Sequence, residues 1–216
     1  MTDEDRITAV HEAGHAVARF LTASEMGIEP AKAVSRIEFQ PAIDTRTEGT
    51  ATVFVIRLAT TFGPMLSRNI QAHMATFPFG HHVTGAELET TIAAARAAGV
   101  DVAGWCRSRM LIHVFGAVAE ARFTNRPVME LWGSDICHSD IEEAVRDGRL
   151  AGLSPARIEE AVDAAIDEAI RLVNIPAIWS AIAAVAGEVE RLGTVTGPQA
   201  LEAIARSGAE IGIATS

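Results

Sequence analysis

The residues best equipped for chemistry stand near the start of the chain, in His11-Glu12-Ala13-Gly14-His15. The pattern is H-E-x-x-H. On an α-helix, positions i and i+4 fall one turn apart on the same face, so two imidazoles at that spacing can share one metal ion. Zinc is the usual ion for paired imidazole nitrogens. Glu12 directly follows the first imidazole. Its carboxylate can therefore reach a water held by the same ion, as the general base of a zinc hydrolase does. Two ligands and a base are present, and a third ligand must come from elsewhere. The plain alternative is a pair of solvated or hydrogen-bonded histidines on a helix. The flanking residues favour the metal: Ile7, Val10, Gly14, Val17 and Leu21 form an apolar face at helical spacing, and Ile7, His11, His15 and Ala18 run beside it. The edge of a buried face is where a ligand can meet a partner from another element.

The elements that must position these residues follow from the same kind of reading. Thr2 is a candidate cap for the first helix, with Asp3, Glu4 and Asp5 favourable in its first turn. The helix is expected to run to about Ser24, where Gly27 and Pro30 end it. Residues 34–39 alternate apolar and polar, and residues 50–56 are rich in β-branched side chains. The expectation is an antiparallel pair packed on the first helix, joined by a polar loop containing Pro41, Asp44 and Gly49. Residues 58–74 and 87–98 read as helical, broken at Gly63-Pro64 and by a turn at Pro78 and Gly80. His81 and His82 fall in that turn and are read as loop residues, since adjacent side chains seldom point at one ion. His73 and His113 are read as core or surface histidines.

Residues 101–123 form a strongly apolar helical stretch, with Glu120 near its end. A carboxylate among apolar neighbours needs a partner. Glu120 could orient a metal-bound histidine from behind, pair with Arg122, or cap a local backbone group. A loop is expected over residues 125–138. Ser139 and Glu142 then have capping-box spacing, which places Asp140 in the first turn of a helix. Favourable charge at a helix N-terminus accounts for Asp140 without any metal. Ser154-Pro155 opens a helix with the stripe Ile158, Val162, Ile166, Ile170 and Val173. Asn174 and Pro176 separate it from another with Ile178, Ile182, Val185 and Val189. A turn over residues 193–197 leads to a short last helix over residues 198–206.

Composition bounds the function. The 216 residues are 49% hydrophobic and 21% charged, enough to bury a sizeable core. A net charge of −10 argues against a nucleic-acid or anionic-membrane partner. Cys106 and Cys137 are the only cysteines, so there is no disulfide framework, which fits a reducing cytoplasm. The acidic start, Met1 to Asp5, does not read as a signal peptide. The apolar run over residues 175–187 is too short to span a bilayer.

Taken together, these stretches resemble the peptidase domain of the FtsH-type zinc peptidases, the M41 family. His11-Glu12-Ala13-Gly14-His15-Ala16 resembles the family's HEAGHA helix, and the two strands resemble the pair that follows it. Phe115-Gly116-Ala117-Val118-Ala119-Glu120 is similar to its GGRxAEE helix, and Ser139-Asp140-Ile141 to its S-N-D-[IL] segment. Thr194-Val195-Thr196-Gly197 resembles its closing turn. The resemblance implies Asp140 as the third zinc ligand, which the physical reading alone would not choose over His138. It sets Asp135, Cys137 and His138 aside. Residues 57–101 look like an insertion. Ala117, Val118 and Ala121 depart from the GGR and second-glutamate positions, and Ser139 from the asparagine. Nothing in the chain resembles a Walker A sequence.

The reading is thus an α+β, mostly helical single domain over residues 1–216: a metal helix, a small antiparallel sheet and a C-terminal helical bundle. Zinc is held by His11, His15 and Asp140, with Glu12 as base and Glu120 behind the ligands. Thr50, Ala51, Thr52, Val53 and Phe54 are read as the strand that receives an extended peptide. The expected activity is ATP-independent hydrolysis of peptides or unfolded segments in the cytoplasm, with a separate ATPase or a second copy as possible partners. The alternative is a peptidase-like module that binds peptides or a partner without cutting them.

Overall fold

The computed structural model describes residues 3–34, 36–43, 50–55, 93, 95–97, 99–132 and 137–211. Helix α1 (Asp3–Thr22) begins with Asp3, Glu4 and Asp5, whose charges complement the positive end of the helix dipole. The turn that follows it, residues 23–27, closes at Gly27, which takes a positive φ of 67°, while the Ile28 N–H donates to the Ala23 carbonyl. The short α2 (Pro30–Ala33) leads into β1 (Arg36–Ile43), which pairs antiparallel with β2 (Thr50–Val55).

The sheet departs from the expected pair in two ways. A third strand, β3 (Thr194–Thr196), adds to the other side of β1, giving the order β2-β1-β3. The sequence reading placed these residues in a turn, because three residues are too few to show alternation. β1 also continues through Pro41, which was expected in the following loop. Pro41 faces Thr52 of β2, and the β3 pairing stops at Glu38, so the proline lies where one side of β1 has no partner strand among the described residues.

The centre of the fold is α3 (Val102–Thr124). Asp101 caps it by accepting the Gly104 N–H at 2.8 Å, and Asn125 closes it in the left-handed conformation. Every residue from Ile112 to Ala121 is buried, because α1 packs on one side of this helix and two later helices on the others. The expected loop over residues 125–138 contains a short helix, α4 (Val128–Trp132). Helix α5 (His138–Leu150) starts one residue before the expected cap. Cys137 is its N-cap residue, with no side-chain cap bond, so Ser139 and Glu142 lie inside the helix and form no capping box.

Helices α6 (Pro155–Val173) and α7 (Pro176–Leu192) each carry proline in the first turn, where a missing N–H costs nothing. In α8 (Gly197–Arg206) a capping box joins Thr196 and Gln199. The core gathers Val17, Phe20, Ile37, Met110, Phe115, Ile182 and Val185 from four elements. No single helix among the described residues is long and apolar enough to cross a membrane. Of the segment read as an insertion, residues 95–97 are helical and the chain turns at Gly99, as expected; His73, His81 and His82 lie outside the described residues, as does Thr2.

Candidate metal centre

Two glycines decide how α1 meets α3. A Cβ on Gly14 would stand 2.9 Å from both the Ala119 Cβ and the Phe115 carbonyl oxygen. A Cβ on Gly116 would stand 2.4 Å from the His15 Nε2 and 2.7 Å from the His11 Nε2. The backbones therefore approach as only glycine allows, and both imidazoles lie against the bare face of Gly116.

The two rings are buried, with 5% and 7% of their surfaces exposed, so neither can rely on water for its hydrogen bonds. His15 Nδ1–H donates to the Ile112 carbonyl at 2.7 Å, and His11 Nδ1–H donates to Glu120 Oε2 at 2.9 Å. A carbonyl can only accept, so the neutral His15 ring is left with a bare lone pair on Nε2. The carboxylate sets the same tautomer for neutral His11. These Nε2 atoms face each other at 3.1 Å. Asp140 Oδ2 lies 3.3 Å from one and 3.4 Å from the other.

Three electron-pair donors thus converge, an arrangement that needs a cation. Burial opposes a charge on His11, but Asp140 and Glu120 outweigh it and raise the His11 pKa to about 10. Burial would also raise that of Asp140, yet the two imidazoles hold it far below the carboxylate range. Donor atoms on a tetrahedral zinc with bonds of about 2.0–2.1 Å lie about 3.3–3.4 Å apart. The three distances of 3.1, 3.3 and 3.4 Å match one face of that tetrahedron, so the residues suit the ion. Glu12 is half-buried beside this cluster, and burial raises its pKa against the opposing pull of His15 and His11.

The chain matches no family model and no curated protein.

His11, His15, Glu12, Glu120 and Asp140 come together as expected. Of the open choices for Glu120, its carboxylate takes His11 rather than Arg122. Arg122 instead donates to the Val173 carbonyl and lies over the Trp179 ring, 4.4 Å from its centre. His138 is exposed and pairs with Glu142 at 3.2 Å, while Asp135 lies outside the described residues. Thr50, Ala51, Thr52, Val53 and Phe54 form most of β2, at the edge of the sheet among the described residues and alongside α1.

One residue set aside in the sequence lies close to the centre, and two further features were missed. Cys137 is fully buried, and its sulfur belongs to a His11–Cys137–Asp140 group whose ligand atoms lie within 4.8 Å of one another. The C-x-x-D spacing of Cys137 and Asp140 was the available signal. A second polar cluster lies behind the site: Asp147, with no exposed surface, accepts from Arg109 Nε at 2.9 Å and from His113 Nε2 at 3.1 Å. Arg19 continues the line His11, His15, Arg19 at intervals of four. It is buried, and its Nε has no partner among the described residues; burial first, then the charge of Arg109, lowers its pKa to about 9. That repeat of four was visible in the sequence.

Proposed function

We propose that this chain is a zinc-dependent peptide hydrolase of the FtsH-like M41 type that acts without ATP on peptides or unfolded segments. The observation that carries the reading is the triangle of His11 Nε2, His15 Nε2 and Asp140 Oδ2 at 3.1–3.4 Å, with both Nδ1 atoms already committed to acceptors. Zinc bound there would acidify a water and polarise a peptide carbonyl.

The remaining work belongs to the chain's own residues. Glu120 and the Ile112 carbonyl hold the rings so that both Nε2 lone pairs point inward. Glu12 takes the proton of the attacking water on its carboxylate and passes it to the leaving amine. An extended substrate adds to β2, which lies at the edge of the sheet among the described residues, through main-chain hydrogen bonds that place little demand on its sequence. A cytoplasmic setting, and a separate ATPase or second copy as partner, complete the proposal.

The test is cleavage of casein, an unfolded protein, by the zinc-loaded chain. Cleavage that stops on chelation and returns with zinc is the expected result. Stoichiometric zinc without cleavage would favour a peptide-binding module, and a chain that binds no zinc would remove the metal centre altogether.

A further inference from the structure

We propose that Cys137 is a gate on the metal centre: in the resting protein its thiolate occupies the coordination position that water must take for hydrolysis. The proposal rests on the zinc reading above and adds a regulated fourth ligand to it.

Cys137 and Asp140 are three residues apart at the start of α5, so they share the face of the helix that meets α1. Cys137 is fully buried, although His138 and Ser139 beside it are exposed, and it forms no disulfide. Its sulfur lies within 4.8 Å of the ligand atoms of His11 and Asp140. A thiolate about 2.3 Å from zinc stands about 3.6 Å from a nitrogen on the same ion. A shift of the first turn of α5 toward His15, which lies outside that group, would bring the sulfur into contact with the ion. Cys106, the other cysteine, packs separately with Ala95 and Val102, so the two thiols do not compete for one role.

The chemistry balances without a further reactant. On closing, a zinc–sulfur bond replaces a zinc–water bond, and the thiol proton leaves to solvent. On opening, water returns and the sulfur is reprotonated. Two imidazoles, a carboxylate and a thiolate fill a tetrahedral zinc, and a filled site does not hydrolyse.

Cobalt(II) reports the ligand directly, since a bound thiolate gives an intense near-ultraviolet charge-transfer band that nitrogen and oxygen ligands do not. The full chain is loaded with cobalt without added thiols. The band is expected in the wild type, retained in Cys106→Ser and lost in Cys137→Ser. Cobalt bound with no such band overturns the gate and leaves the hydrolase reading standing. A chain that binds no cobalt and no zinc overturns both. The second measurement compares casein cleavage by zinc-loaded wild type and Cys137→Ala at equal metal content. Several-fold faster cleavage by the variant is expected, and equal or slower cleavage overturns the gate even if the band is present.

Discussion

Glu120 does for His11 what the Ile112 carbonyl does for His15: it fixes which nitrogen carries the proton. Only 3% of Glu120 is exposed, so its charge is poorly screened and is answered mainly by the ring it holds. Glu120→Gln keeps the shape and an acceptor oxygen but removes the charge. Zinc affinity is expected to fall about 10–100-fold, read by competition with a chromophoric chelator. Unchanged affinity would mean that the carboxylate serves folding alone. Glu12→Gln should behave oppositely. Zinc stays bound, while casein cleavage falls roughly 10²–10⁴-fold, because an amide cannot take the proton of water. Equal cleavage by the two proteins would exclude Glu12 as the base.

At the scale of elements, the crossing of α1 on α3 sets the geometry of the candidate metal site. Gly116→Ala puts a methyl group where the two Nε2 atoms lie, so one helix must withdraw. Overpacking of that kind costs about 1–3 kcal/mol, and here zinc binding should be lost as well. Gly187→Ala is the control. Its Cβ would meet nothing within 4 Å, so the helix gains up to about 1 kcal/mol and zinc binding is untouched. Urea unfolding with zinc titration on both variants checks the pair. The join between α3 and α5 depends on Asp147. Burial pushes the Asp147 pKa up, but the bond from His113 and the charge of Arg109 prevail and hold it below the usual carboxylate value. Its contribution is therefore complete above the unfolded value of about 3.9 and is lost as pH falls through the lower folded value. Asp147→Asn should cost about 1–3 kcal/mol at neutral pH, because it removes a buried charge that accepts from Arg109 and His113 and leaves Arg109 only the half-buried Glu143 at 3.3 Å. The gap between wild type and variant should narrow below about pH 4 in urea titrations. A gap independent of pH would show that the charge is not what matters.

Across the whole molecule, the centre ties together residues that are distant in the chain. Its donors come from α1 and α5, and its supports from α3, so an ion bound there favours the folded state alone. Zinc at one hundred times its dissociation constant adds about 2.7 kcal/mol. For a domain of this size that corresponds to about 5–10 °C in Tm. Chelation should lower the melting temperature by that amount, and His15→Ala should melt at the same temperature with or without zinc. A chelator effect of equal size in His15→Ala would place the ion elsewhere.

The helix periodicity, the proline and glycine stops and the H-E-x-x-H spacing were enough to place α1, α3, α6 and α7 and to nominate His11, Glu12 and His15. Those signals are local, because an amphipathic helix shows its buried face within a few turns of its own sequence. The choice of Asp140 over His138 could not be made locally, since both sit in the first turn of α5 and both residue types bind zinc. The tertiary structure separates the two by position, with Asp140 against His11 and His15 and His138 paired with Glu142 at the surface. The partner of Glu120, the strand formed by Thr194–Thr196 and the approach of Cys137 were likewise beyond a local pattern. Each depends on a contact made across roughly 100 residues or more of chain, and no single segment carries a signal for a partner that only packing supplies.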